Sequence, residues 1–97
     1  WIDYLNLRGS TLTDVSFVDC HLGELDLADA TVSRMAFAGT VVADLALKGA
    51  TLADVDLRGT DLTGVTDLAH LRGATISGAQ LDALAPLLAD EWGISVG

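Results

Sequence analysis

Side chains that could carry out chemistry are few and spread along the chain. His21 and Glu24 form a His-x-x-Glu spacing, which on a helix could bring both groups to one metal ion. His70 has no evident partner for catalysis, and no Gly-rich phosphate loop precedes a helix. Cys20 is the only cysteine, which excludes an intramolecular disulfide. We therefore expect no enzyme, no metal site and no cofactor.

The elements that position these residues follow from a five-residue period. An apolar residue stands at every fifth position: Ile2, Leu7, Leu12, Phe17, Leu22, Leu27, Val32, Phe37, Val42, Leu47, Leu52, Leu57 and Leu62. This period fits neither the 3.6-residue repeat of an α-helix nor the alternation of a simple strand. A chain that turns by a constant angle at each repeat forms a solenoid, and we predict that fold class.

A second row of inward positions lies two residues before each of these apolar centres. Large residues alternate with small ones along it: Leu5, Ser10, Val15, Cys20, Leu25, Ala30, Met35, Thr40, Leu45, Ala50, Val55, Thr60 and Val65. The structural unit therefore repeats every ten residues or a multiple of ten. This alternation is consistent with a coil whose cross-section has either two or four faces.

Three segments resemble the A-(D/N)-L-x-x consensus of pentapeptide repeat proteins: Ala30-Thr-Val-Ser-Arg34, Ala50-Thr-Leu-Ala-Asp54 and Thr60-Asp-Leu-Thr-Gly64. The resemblance covers residues 2–81. It implies an all-β solenoid, a right-handed quadrilateral β-helix with four pentapeptides per coil and about 3–4 coils. We expect this β-helix to span residues 1–76. In such a coil His21 points outward and Glu24 lies near a corner, while Cys20 points inward as a small buried side chain.

Two irregularities interrupt the repeat. Asp67 falls where the next apolar centre is due, and the pattern resumes one residue early at Leu71 and Ile76, so one residue has been dropped. At the other end the first coil begins part-way round, and we expect further N-terminal sequence. Trp1 and Tyr4 are typical of contacts to another coil or to a partner.

The period changes beyond Ser77 to an amphipathic helical stripe. Ser77 is the expected N-cap and Gly93 the C-terminal stop, while Pro86 predicts a kink or two short helices. We expect residues 77–97 to cover the open end of the β-helix, with Leu81, Leu84 and Leu88 on the last coil. The candidate cap or dimer residues are Leu81, Leu84, Leu87, Leu88, Trp92 and Ile94. The candidate residues that lie outside the apolar stripe of the helix are consistent with either an inert tail or a homodimer interface.

The charge balance excludes one class of partner. A formal net charge of -9 argues against direct nucleic-acid binding through phosphates. No apolar run approaches the length of a membrane span, so we expect a cytoplasmic protein without membrane contact. One predicted face carries Asp19, Glu24, Asp44 and Asp61 with no Lys or Arg. It either keeps the protein soluble or meets a basic partner.

Two functions follow from the resemblance. The first is a non-catalytic scaffold that acts as a protein-protein interaction module with an unknown partner. The alternative is an acidic DNA mimic, because some pentapeptide repeat proteins of the quinolone-resistance type resemble B-form DNA in width and charge and bind type II topoisomerases such as gyrase. Three to four coils match only about five base pairs. Mimicry therefore requires further coils or an end-to-end dimer through the C-terminal helix.

Overall fold

The computed structural model describes residues 1–62, 64–66 and 68–97 and contains a parallel β-solenoid followed by one helix. The strands are β1 (Ile2–Asn6), β2 (Thr11–Val18), β3 (His21–Asp26), β4 (Thr31–Ala38), β5 (Val41–Ala46), β6 (Thr51–Asp56), β7 (Val65–Thr66) and β8 (Ala74–Thr75). A 3₁₀ turn at Leu68–Leu71 lies between β7 and β8, and helix α1 spans Gly78–Glu91. The molecule measures 40 × 24 × 23 Å. The predicted solenoid with a C-terminal helix is confirmed.

The register of the strands gives the length of one coil. Two four-stranded parallel sheets form, in the orders β1-β3-β5-β7 and β2-β4-β6-β8. Leu22 pairs with Ile2 on one side and with Val42 on the other, a spacing of twenty residues in each direction. This spacing decides in favour of twenty residues per coil, because a ten-residue unit would pair Leu22 with Leu12 or Val32.

The dropped residue is visible in the last coil. Val55 of β6 pairs with Ala74, one position earlier than the twenty-residue spacing requires. Within this irregular stretch the 3₁₀ turn brings Leu68 into the core, where it is 9% exposed. Asp67, the residue at which the period fails, lies outside the described residues. The prediction of a one-residue deletion is confirmed.

The core consists of both predicted inward rows. From Leu22 to Leu62 every apolar centre is buried: Leu22, Leu27, Val32, Phe37, Val42, Leu47, Leu52, Leu57 and Leu62. The rings of Phe17 and Phe37 stack with centroids 5.2 Å apart and an interplanar angle of 9°. The first coil departs from the expectation, because Ile2 is 43% exposed and Phe17 only half-buried. Each first-coil strand has a neighbour on one side only, so its inward side chains are covered from one side.

Three of the four corners of each coil use left-handed backbone. Positive φ recurs at twenty-residue intervals, as at Gly9, Asp29 and Gly49, with φ of 68°, 59° and 71°. Five of these corner residues are not glycine: Asp14, Asp19, Asp29, Arg34 and Asp54. Aspartate tolerates this conformation better than most residues because its short carboxylate bonds to nearby backbone. Much of the acidity of this chain therefore lies at the corners.

Helix α1 begins and ends as the sequence predicts. Ser77 and Gln80 form a reciprocal capping box, and Gly93 adopts a φ of 67° after the last turn. The Ile94 amide donates to the Ala89 carbonyl at 2.8 Å, which completes a Schellman motif. One 14-residue helix runs through Pro86, so the expectation of two short helices was wrong. No helix in the described ranges has the length and hydropathy needed to cross a bilayer.

The side of α1 that covers the solenoid differs from the predicted stripe. Leu84 is buried and Leu88 packs partly against the core, but Leu81 is 49% exposed, so its expected packing on the last coil was wrong. The neighbouring Gln80 explains this difference. Its Nε2 donates to the carbonyls of Leu57 and Thr60 at 2.6 and 2.7 Å, and these bonds turn Gln80 rather than Leu81 toward the coil. A polar contact therefore sets the rotation of the cap.

Candidate protein-binding face

The acidic face, defined by Asp19, Glu24, Asp44 and Asp61, lies on the sheet that contains β3 and β5. Glu24 and Asp44 are direct register partners in these strands, so the structure places their carboxylates on neighbouring coils. Asp19 occupies the corner between β2 and β3, with a φ of 52°. Asp61 directly precedes the buried centre Leu62 on the next coil. Asp19, Asp44 and Asp61 are exposed, and Glu24 is half-buried.

The other outward residues of this sheet add no positive side chain. They are Asp3 and Tyr4 on β1, His21 and Gly23 on β3, and Val41 and Ala43 on β5. Lysine and arginine therefore do not occur at the outward positions of these three strands. Glu24 and Asp44, fixed on a sheet whose strands β1, β3 and β5 carry no lysine or arginine, produce a negative potential at this surface.

Two of the four arginines lie beside acids elsewhere on the solenoid. Nη2 of Arg34 donates to Asp14 at 2.9 Å and Nη2 of Arg58 donates to Asp56 at 2.8 Å. Hydrogen bonds from Arg34 lower the pKa of Asp14, and those from Arg58 lower the pKa of Asp56 to about 2. Both pairs are exposed, so their net contribution to stability is small. They neutralise acidic charge on other parts of the surface.

A buried carboxylate that the sequence did not single out supports the edge of the face. Asp26 is 8% exposed and accepts hydrogen bonds from the Tyr4 hydroxyl and the Ala28 amide, each at 3.0 Å. Nε of Arg8 lies 3.7 Å from the same side chain. The hydrogen bond that the Tyr4 hydroxyl donates to Asp26 raises the pKa of Tyr4. Asp26 therefore keeps the Tyr4 ring at the surface in one orientation.

Comparison with known families agrees with this geometry. The family model described as "Pentapeptide repeats (8 copies)" matches residues 37–66. The chain therefore contains a run of pentapeptide repeats. No curated protein and no solved structure matches it. The matched segment contains β5, β6 and the pairing of Leu45 with Val65, where the register is regular.

The potential catalytic residues of this chain lie apart. The His21 ring packs against Trp1, with centroids 3.7 Å apart. The Cys20 thiol is half-buried and donates to the Val18 carbonyl at 3.3 Å. Nδ1 of His70 is buried without a hydrogen-bond partner, in the 3₁₀ turn of the last coil. Among the described residues no three His, Cys, Asp or Glu side chains lie close enough to hold a metal ion.

The candidate cap or dimer residues fall into two groups. Leu84 and Leu88 contact the core and belong to the cap. The others are largely exposed, with Leu81 at 49%, Leu87 at 38%, Trp92 at 72% and Ile94 at 60%. Trp92 is the C-cap of α1 and Ile94 follows it, beyond the buried Leu84. The exposed group is available for contact with another molecule.

Proposed function

We propose that this pentapeptide repeat protein is a non-catalytic scaffold whose acidic face binds a basic surface of a protein partner. The observation that carries the proposal is the register pairing of Glu24 with Asp44 on a sheet whose β1, β3 and β5 present no outward lysine or arginine. Two of the arginines, by contrast, lie beside acids of the other sheet, with Asp14 and Asp56 as their partners.

The fold supports this role because it fixes the acidic side chains before binding. Neighbouring coils are about 4.8 Å apart, so Glu24 and Asp44 present two carboxylates at a constant interval. A partner with positive side chains at a similar interval meets both charges without reorganising the scaffold. Such complementarity raises the association rate and selects against acidic partners.

DNA mimicry of the quinolone-resistance type is the alternative, with gyrase as the partner. The acidic sheet favours it, but the stacked coils, about 4.8 Å apart, match the rise of only about five base pairs, so mimicry requires further coils or an end-to-end dimer. The two proposals share the acidic face and differ in the partner. A gyrase supercoiling assay separates them.

Neutralising the acidic face should weaken binding to a basic probe by about tenfold or more at low salt. The face variant combines Asp19→Asn, Glu24→Gln, Asp44→Asn and Asp61→Asn. The matched control changes the same amount of charge elsewhere: Asp29→Asn, Asp54→Asn, Asp82→Asn and Asp90→Asn. Titration of each protein against poly-lysine, at low and high salt, gives the affinities. The control should lose much less affinity than the face variant.

The outcomes decide between the proposals. Equal losses in both variants would mean that net charge alone drives binding and would refute the acidic face as the site. Inhibition of gyrase supercoiling by the native chain, lost in the face variant and kept in the control, would support mimicry. Unchanged supercoiling, together with binding to poly-lysine that depends on the face, would support the scaffold and remove gyrase as the partner.

The exposed group on α1 leads to a further proposal, a homodimer through the C-terminal helix. Trp92 is 72% exposed and Leu81 is 49% exposed. Large apolar side chains that are exposed together, rather than singly, indicate a surface that contacts another molecule. Sedimentation equilibrium should give a dimer mass for the native chain, and the double variant Leu81→Ser, Trp92→Ser should shift it toward the monomer. A monomeric native chain at every concentration would refute this interface.

A further inference from the structure

The acidic face continues on the first coil into two exposed aromatic side chains. Trp1 is 78% exposed and Tyr4 49% exposed. Tyr4 is the register partner of Glu24, and Glu24 is the register partner of Asp44. One aromatic ring and two carboxylates therefore lie in a line across three neighbouring coils. We call Trp1, Tyr4, Glu24 and Asp44 the aromatic-acidic patch. Both rings stand at outward positions of the repeat, so their exposure follows from the phase of the coil.

Both rings of the patch are held in place by residues of this chain. Trp1 packs against the His21 ring of the next coil, with centroids 3.7 Å apart, and its indole N–H donates to Asp3. The Tyr4 hydroxyl donates to the buried Asp26 at 3.0 Å. Rings fixed in this way contact a partner with little loss of side-chain entropy. The patch is therefore preorganised.

The outward side chains of the patch form two rows across the coils, and the surface between these rows is low. The middle outward positions of β3 and β5 are Gly23 and Ala43, with Trp1 and His21 in the row on one side and Tyr4, Glu24 and Asp44 in the row on the other. The backbone approaches closely here, because a Cβ on Gly23 would lie 2.4 Å from the Asp3 carbonyl oxygen. The result is a shallow channel with a floor of small residues, an aromatic end and an acidic side.

We propose that this patch binds an arginine side chain of the basic partner, and this inference rests on the proposed function of the acidic face. The apolar stem of the arginine lies over Gly23 and Ala43. Its guanidinium plane stacks on the Tyr4 or Trp1 ring and donates to the carboxylate of Glu24, while Asp44, one coil farther along, adds negative charge. Negative charge next to fixed aromatic faces matches a cation that is flat, weakly hydrated and able to donate two hydrogen bonds at once.

Arginine fits this arrangement better than lysine. A guanidinium stacks on an aromatic ring and still directs its N–H groups sideways to a carboxylate, whereas an ammonium is compact and more strongly hydrated. A face that attracts basic segments only through charge would bind both equally. The aromatic-acidic patch therefore predicts a preference between two peptides of the same charge.

The test titrates labelled hexa-arginine and hexa-lysine peptides against the full chain. We expect the arginine peptide to bind about three- to thirtyfold more tightly, the range of one or two cation–π contacts. The double variant Trp1→Leu, Tyr4→Leu should lose this preference while keeping the weaker binding to lysine. Trp92→Leu is the matched control, because Trp92 is 72% exposed at the opposite end of the chain. It should leave the preference unchanged.

A single variant separates an effect on folding from an effect on peptide binding. Trp1→Leu alone changes only an exposed side chain at the chain end, so it reports on the patch even if the loss of the Tyr4 hydroxyl disturbs Asp26. Equal binding of both peptides, or the same loss with Trp92→Leu, would overturn the arginine assignment and leave the acidic face intact. Failure of both peptides to bind at low salt would overturn the face and the patch together.

Discussion

Replacing Phe37 with alanine is expected to lower the free energy of unfolding by about 3–5 kcal/mol. Phe37 is 7% exposed and stacks on Phe17 at 5.2 Å, in a strand that pairs with β2 on one side and β6 on the other. The neighbouring coils are fixed by their backbone ladders and cannot close around the lost ring, so a cavity remains. Denaturant unfolding of both proteins gives the difference.

Val18→Ala is the control for this prediction. Val18 lies on β2, the strand next to β4, but is 60% exposed, so its truncation should change the free energy of unfolding by about 0.5 kcal/mol or less. Phe17→Ala should fall between the two, since Phe17 is half-buried. A loss below about 1 kcal/mol for Phe37→Ala would contradict its position in the core.

Deleting residues 78–97 is expected to make the chain aggregate. The deletion removes Leu84, which is 1% exposed, and the Gln80 amide that binds the carbonyls of Leu57 and Thr60. The last coil would then present an apolar surface and free backbone acceptors, which are the conditions for edge-to-edge association of sheets. Light scattering during a concentration series measures the effect. A shortened chain that stays monodisperse and equally stable would show that α1 is not a cap.

A milder variant separates the polar contact from the apolar one. Gln80→Ala leaves Leu84 in place but removes both bonds to the coil, and it should cost about 1–3 kcal/mol, because the Thr60 carbonyl loses this donor while the Leu57 carbonyl still accepts from Thr60. Asp82→Ala, an exposed change on the same helix, should have little effect. Similar losses for the two variants would contradict the role of Gln80.

Most of the solenoid could be predicted because each coil repeats one pattern. The apolar centres identified the inward residues, and the shift after Leu62 revealed the deletion before β8. The rotation of α1 could not be predicted this way. A helical stripe gives the apolar side of a helix, but here Gln80 bonds to carbonyls of residues 57 and 60, and only the assembled coil brings these groups together.

The outward positions of Glu24 and Asp44 could be predicted for the same reason, since the repeat phase determines which residues point outward. The aromatic end of the acidic face was less accessible to sequence reasoning. Trp1 meets His21 and Tyr4 meets Asp26, pairs that are 20 and 22 positions apart and depend on how two coils stack. The sequence did contain one signal, because Trp1 and Tyr4 both stand at outward positions of the repeat. A solenoid does not need aromatic residues at outward positions for its stability.

The single-residue deletion before β8 indicates how such a chain can change its length. Inserting or removing one whole coil keeps every ladder intact, whereas a gain or loss of five residues would turn all later faces by a quarter of a revolution. A shift of one residue keeps inward and outward side chains in phase only where an irregular stretch such as the 3₁₀ turn absorbs it. Here the shift precedes only the short pairing of Val55 with Ala74, after which α1 begins. Engineered or natural variants of the scaffold should therefore add coils ahead of this point, in units of twenty residues.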